Sequence, residues 1–546
     1  MAECLEDTSN QDSDRNIDSC SFLKEQFDIF KHDYREAFDE HGHETLANLT
    51  LTPELKKEVV NTLRKLQKAK IGIERNTKMG EWCADKLRDC RAWKDEGLEI
   101  STTSNECAKL YDATLRQLVS WIDCQQLGGI ENTKKKMIEA DPNSVIARCL
   151  SLGMHALSTS NSVRKEQKFK EDLDKLIDDA KTSNKREQHH ARAVYNFAYG
   201  NMQSACVEWE KILAENPTDL MALKFAHDGY FFLGDCHRKK NSVQRVIGKW
   251  KKTEPCYSYL HGMLAFGLEE CGDYPEAEKE ARHALELQRQ DCWATHAVAH
   301  CYEMKSNYKD GIQFMESTVS DWEPCFILAC HNFWHTALFY IEKGDYEEAL
   351  SIYDDEIEKR CHSKSMLDIV DAASMLCRLE MENVNVGDRW KRLEPLAEVH
   401  VGDNVLAFND VHLSMIVSSL DDGDLLEKHQ TSIGDFVRNG SGDNHRITKD
   451  IGDQLSEAII AFKNKEYEKT FDLIYPIRFE IIQIGGSHAQ RDVFSQILIH
   501  SALRSKDCNQ QQHAKELIEE RNSLKSNSTL SDRIVNHHKN VLFSNI

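Results

Sequence analysis

Apolar residues along this chain recur at steps of three and four, and alternating apolar and polar runs are scarce. Between 54 and 74, Leu55, Val59, Leu63, Leu66 and Ile71 keep roughly helical spacing. Further on, Thr103-x-x-Glu106 reads as a capping box. In such a box the hydroxyl accepts from a free N–H of the first turn and the glutamate reaches back. It opens a helix running through Leu110, Leu115 and Trp121. Val, Ile and Thr rarely alternate over five or more residues, so nothing supports a sheet. The 8 prolines and 25 glycines in 546 residues fit a helical chain, because both residues break helices. The predicted class is all-α.

A short phrase then repeats. Gly272-Asp273-Tyr274-x-x-Ala277 and Gly344-Asp345-Tyr346-x-x-Ala349 are near copies, with a weaker Gly200-Asn201-Met202-x-x-Ala205. Glycine ends one helix, the aromatic covers the turn, and alanine lets the next helix approach closely. This is the turn signature of a tetratricopeptide repeat. With Ala277 at position 20 of the unit, Ala205, Lys239, Gly311 and Ala349 take the same position at steps of 34, 38, 34 and 38 residues. Pro217 then falls where a helix should stop. One helix pair cannot bury its apolar face alone, whereas stacked pairs share a continuous core. The predicted fold is therefore a tetratricopeptide-repeat-like α-solenoid, a right-handed superhelix of antiparallel helix pairs.

The predicted organisation has three parts. Residues 1–20 are polar and acidic and read as disordered. Residues 21–86 form a helical N-terminal extension. Residues 87–546 carry the array, with its clearest repeats over 186–361 and degenerate ones over 365–546. Residues 163–187 read as one charged helix. In the degenerate part, helices are expected at 365–382, 388–400, 405–420 and 423–438, and Lys465-Glu466-Tyr467-x-x-Thr470 is a faint repeat turn. The stretch 440–448 reads as a loop. Gly485-Gly486-Ser487 lacks the lysine of a phosphate loop and reads as a turn and helix cap before a final pair ending near Leu542. Enough helices follow 365 to close the array on itself.

The formal net charge of -22 disfavours nucleic acid and anionic membrane surfaces and leaves a protein or peptide as the expected partner. No run of 18 apolar residues occurs, so no membrane insertion is expected. The 18 cysteines contain no CxxC pair; they read as reduced core thiols of a cytoplasmic protein, not as disulfides or zinc ligands. No nucleophile elbow, dinucleotide fingerprint or kinase motif is present.

From Leu87 onward the chain resembles the tetratricopeptide repeat protein 38 family. The likeness is carried by Asp89-Cys90-Arg91-Ala92-Trp93-Lys94-Asp95, Ser101-Thr102-Thr103-Ser104-Asn105-Glu106, His296-Ala297-Val298-Ala299-His300, Ala329-Cys330-His331-Asn332 with Trp334-His335, Phe408-Asn409-Asp410, and Gly485-Gly486-Ser487-x-Ala489-Gln490-Arg491-Asp492. The resemblance implies an all-helical repeat protein of the cytosol and names no activity. The first 86 residues depart from the family pattern.

One constellation could carry chemistry. Groove-lining positions of a repeat's first helix are 2, 5, 9, 12 and 13. In the frame above, His296, His300 and Glu303 fall at 5, 9 and 12 of one unit. His331 and Trp334 fall at 2 and 5 of the next, with His335 on the flank at 6. The i,i+4 spacing puts both imidazoles of each helix on one face, and adjacent first helices pack about 10 Å apart. Asp410, Arg491 and Asp492 become contributors if the C-terminal helices close over the groove. Two readings follow. In the leading one, the groove binds a protein or peptide segment. In the other, His296, His300, His331 and His335 hold a divalent metal, for binding or hydrolase-like chemistry. An open superhelix with exposed histidines favours the first, and a closed ring with converging imidazoles favours the second. Asp368 and Asp371, with Asp354-Asp355-Glu356, read as a solvated acidic face. His189 and His190 read as exposed.

Overall fold

The computed structural model of the protein describes residues 80–538. The acidic segment 1–20, the helix over 54–74, Leu542 and nearly all of the extension 21–86 lie outside the described residues. Among the described residues there is no β-strand. The chain is a tetratricopeptide-type α-solenoid.

After a short helix, α1 (Cys90–Asp95), the first half runs through α2 (Asn105–Ser120), α3 (Gly129–Ala140), α4 (Val145–Leu157), α5 (Gln167–Ala180), α6 (Lys185–Ala198), α7 (Met202–Glu215), α8 (Leu220–Phe232) and α9 (Cys236–Val246). The central hairpins are α10 (Tyr257–Glu269) with α11 (Tyr274–Leu287), α12 (Cys292–Met304) with α13 (Tyr308–Trp322), and α14 (Leu328–Lys343) with α15 (Tyr346–Ile352). A π turn leads from α15 into α16 (Glu358–Cys361). The degenerate part holds α17 (Met366–Met381), α18 (Arg389–His400), α19 (Ala407–Val417), α20 (Gly423–Asn439), α21 (Gly442–Ile447), α22 (Asp453–Lys463) and α23 (Tyr467–Ile477). It ends with α24 (His488–Arg504), α25 (Cys508–Leu524) and α26 (Thr529–His537).

Local chemistry explains the punctuation. Gly272 and Gly344 sit at φ 80° and 83°, the left-handed turn that the repeated phrase implies. Asp219 and Asp291 cap α8 and α12 by accepting from Ala222 N and Ala294 N. Inside the pairs, Ala277, Ala281, Ala284 and Ala349 are fully buried, so helices approach at their small residues.

The array closes on itself. Gly200 O accepts from Asp443 N at 2.9 Å, and Asp403 O accepts from Ser162 Oγ at 2.7 Å, so α6–α7 meets the region around α21 and α4–α5 meets the loop before α19. Gly485 lies against the Phe232 carbonyl. The last three helices then cover the inner wall. Arg378 of α17 donates to Ala489 O of α24 at 2.7 Å. Lys525, just past α25, reaches Glu303 of α12 at 2.5 Å and Glu342 of α14 at 3.1 Å.

Several sequence expectations are corrected. The cap before Leu110 is Ser104, one residue later than expected, with its hydroxyl accepting from Cys107 N. Residues 163–187 hold the whole of α5 and the start of α6, not one helix. The stretch 440–448 is mostly helical, because Asn444 is buried and its side chain bonds Ala407 N and Asn404 O, tying α21 to the core. Three helices follow Gly485-Gly486 among the described residues, one more than the pair expected. Ser487 does cap α24, in a reciprocal box with Gln490.

Candidate metal centre

The inner faces of α12 and α14 each present two histidines one helical turn apart. His296 and His300 come from α12, His331 and His335 from α14. All four are buried, and their ring nitrogens include a set within 4.8 Å of one another. Ring centroids lie 4.4 Å apart for His296–His300, 4.3 Å for His300–His335 and 4.8 Å for His331–His335. Trp334 stacks on His331 with an interplanar angle of 12° and donates its indole N–H to Ser374 Oγ at 3.2 Å. That bond locks one wall.

Hydrogen bonding separates the four rings. His331 Nδ1 lies 2.6 Å from Asp371 Oδ2, and Gln490 donates to Asp371 Oδ1 at 3.3 Å. A proton on Nδ1 leaves His331 Nε2 as a free lone pair. His296, His300 and His335 have no hydrogen-bond partner at either ring nitrogen. Buried polar atoms are almost always paired, and each orphan costs about 1–3 kcal/mol. Six orphaned nitrogens in one small volume are therefore a strong demand for a ligand.

Burial keeps three of the rings unprotonated. Burial, reinforced by the neighbouring imidazoles, drives His296 and His335 well below the ordinary histidine range. Burial takes His300 down to about 3. Neutral imidazole is the form that ligates a metal. Two carboxyl groups sit just outside. Glu269 Oε2 lies 3.4 Å from His300 Nδ1, and both of its oxygens are unpartnered. Burial and the adjacent Glu270 carboxylate push Glu269 well above the usual carboxylate range. Glu270 runs opposite: burial alone would raise it, but His488, Lys239 and Arg491 pull it down to about 2.

The other expected residues distribute unevenly. Glu303 is on the inner wall but is engaged by Lys525, with one oxygen left unpartnered. Arg491 donates to the Gly485 and Gly486 carbonyls and lies 3.6 Å from Glu270, next to the centre but not in it. Asp492 is paired with Arg521 at 2.8 Å and 2.9 Å and serves the closure of α24 on α25. Asp410 does not join the imidazoles. It is buried beside Asn404 on α19, with its main-chain carbonyl accepting from His429 Nε2 at 3.1 Å.

Two surface readings are overturned. Asp368 and Asp371 are 2 % and 0 % exposed, because α17 turns that face inward against α14; only the Asp354 end of the patch faces solvent, paired with Arg389 and Arg392. His190 is fully buried on Asp219, and His189 is partly buried on Glu208, because α6 packs between neighbouring pairs. Asp371 was missed as a site residue because α17 lies beyond the legible repeat frame. Lys525 carried no sequence signal.

No family model matches this chain. Among solved structures, the human IFIT1 dimer with m7Gppp-AAAA is similar at 13 % identity over 84 % of this chain and 98 % of that one, with a TM-score of 0.33. Yeast Tom70 is similar at 12 % identity over 89 % and 94 %, with a TM-score of 0.29. At such scores the fold assignment rests on this chain's own helix pairs.

Proposed function

We propose that this protein is a helical-repeat interaction scaffold organised around a buried divalent transition-metal ion. The observation that carries the metal is the cluster of four buried imidazoles, three of them without a hydrogen-bond partner at either ring nitrogen. Nitrogen donors of this kind suit zinc, copper, iron or nickel. Zinc–nitrogen bonds of about 2.0–2.1 Å would draw the four rings closer together. Asp371 behind His331 supplies the hydrogen-bonded carboxylate that orients a ligating imidazole. Four protein donors fill a tetrahedral shell and leave no position for a substrate, so the ion is assigned to holding α12 and α14 together, not to hydrolysis.

The scaffold part of the proposal rests on the architecture. The histidine-lined wall is covered by α24, α25 and the segment after them, so a protein or peptide partner would dock on other faces of the array. A net charge of -22 favours a basic partner over nucleic acid. Among the described residues, sixteen free cysteines, most of them buried, support a reducing, cytoplasmic setting. Kinship with the tetratricopeptide repeat protein 38 family belongs to the same proposal and rests on the motifs named above.

Elemental analysis of the purified protein tests the metal. The wild type is expected to hold one equivalent more than a His300→Ala, His335→Ala variant. Chelation should lower the melting temperature of the wild type alone. A bound ligand at 100 times its Kd stabilises by about 2.7 kcal/mol. A wild type that takes up no more metal than the variant, with unchanged melting on chelation, removes the proposal.

A further inference from the structure

A second donor cluster shares no residue with the imidazole centre. Cys236 is the first residue of α9, and Cys271 lies in the turn just after α10. Adjacent repeat turns stack, and this brings Cys236, His237 and Cys271 together with one ligand atom each, all within 4.8 Å of one another. Cys271 Sγ is 3.7 Å from His237 Nδ1. His237 is exposed and both cysteines are half-buried, so the cluster opens to solvent.

Most other cysteines behave differently. Cys149, Cys330 and Cys361 are buried, and burial drives their thiols well above the ordinary range. Cys236 is only half-buried, with the Cys271 sulfur and the exposed His237 ring beside it. A thiol at the start of an eleven-residue helix also gains from the helix dipole. One sulfur thus lies at a helix N-terminus, next to a second sulfur and an imidazole.

We infer that Cys236, Cys271 and His237 form a zinc-binding site with one position open to water or an exogenous ligand. Two sulfurs and one imidazole are a zinc donor set, and three protein ligands leave the fourth tetrahedral position free. Each thiol releases its proton as its Zn–S bond forms, so two protons leave and two thiolates balance the ion's charge. The exposed histidine and the open position distinguish this site from the buried centre. It would accept a further thiolate or imidazole from a partner.

Cobalt(II) titration of the reduced full-length protein tests this apart from the imidazole centre. Only sulfur ligation gives a thiolate-to-cobalt charge-transfer band in the near ultraviolet; four imidazoles give none. The band is expected in the wild type and in the His300→Ala, His335→Ala variant, to disappear on addition of zinc, and to be lost in Cys236→Ser and in Cys271→Ser. His237→Ala should keep the band with at least tenfold weaker binding. All three positions are at least partly exposed, and retained helical circular dichroism would show that the variants fold. Absence of the band from the wild type, or its persistence in both serine variants, overturns the inference. Mapping of a Cys236–Cys271 disulfide in protein purified under reducing conditions also overturns it.

Discussion

Asp371 Oδ2 lies 2.6 Å from His331 Nδ1, across the interface between α14 and α17. This contact fixes which nitrogen of His331 faces its three neighbours. If Nδ1 donates to the carboxylate, Nε2 is bare toward the centre.

Asp371→Asn keeps the shape but loses the charge and lets the ring adopt the wrong tautomer. Metal affinity is expected to fall by about 10–100-fold, as for other outer-shell carboxylates. Competition with a chromophoric chelator reads the change, and an unaltered melting temperature of the metal-free protein separates it from misfolding.

Lys525 joins two buried glutamates from different repeats. Removing it strands Glu303 in the interior and leaves Glu342 to the Ser528 hydroxyl and the Leu530 N–H. Lys525→Met is expected to cost about 3–5 kcal/mol in denaturant unfolding, and adding Glu303→Gln should recover part of that. An effect below about 1 kcal/mol would mean that the closure of the C-terminal helices does not depend on this pair.

Gly485 sits at φ 90° and ψ -160°, and a Cβ there would meet the Phe232 carbonyl oxygen at 2.6 Å. Only glycine occupies that region easily. Gly485→Ala should lower stability by at least about 1–3 kcal/mol. Gly272→Ala, with open space around its Cβ, should cost less. Thermal melts of the two variants give the comparison.

Stability should peak near neutral pH, for two opposed reasons. Burial holds His412 and His429 down to about 4, whereas an unfolded histidine titrates near about 6.5. Between those values only the unfolded chain takes up protons. Their contribution is whole above about pH 6.5 and is lost as pH falls toward 4, at up to about 1.4 kcal/mol per unit for each ring. Asp410 has the other sign. Burial pushes it up to about 8, so the folded carboxyl keeps a proton that the unfolded one loses near about 3.9, and stability falls as pH rises between the two. Asp410→Asn should therefore gain on the wild type through that window and level off above it. Urea titrations at about pH 5, 6.5 and 8 measure both limbs.

The helix pairs from α6 to α15 were legible in the chain because a repeat writes its turn chemistry locally: glycine, aspartate and tyrosine, then alanine, in one phase. That phase also predicts that His296 and His300 share a face, that His331 and His335 share another, and that the two faces are neighbours. Beyond 365 the helices remained legible from apolar spacing, but the direction in which each one faces did not. Asp371 reads as part of a solvated acidic face when grouped with Asp368 and Asp354-Asp355-Glu356, whereas α17 turns it onto His331. Lys525 and Glu303 are 222 residues apart, and no local pattern encodes their meeting. Cys236 and Cys271 likewise lack any short ligand spacing. Periodicity is a property of one helix and its turn, so it survives in a linear reading. Burial, orphaned nitrogens and cross-chain pairs arise only when the last three helices fold back over the inner wall, and the whole closed packing determines them.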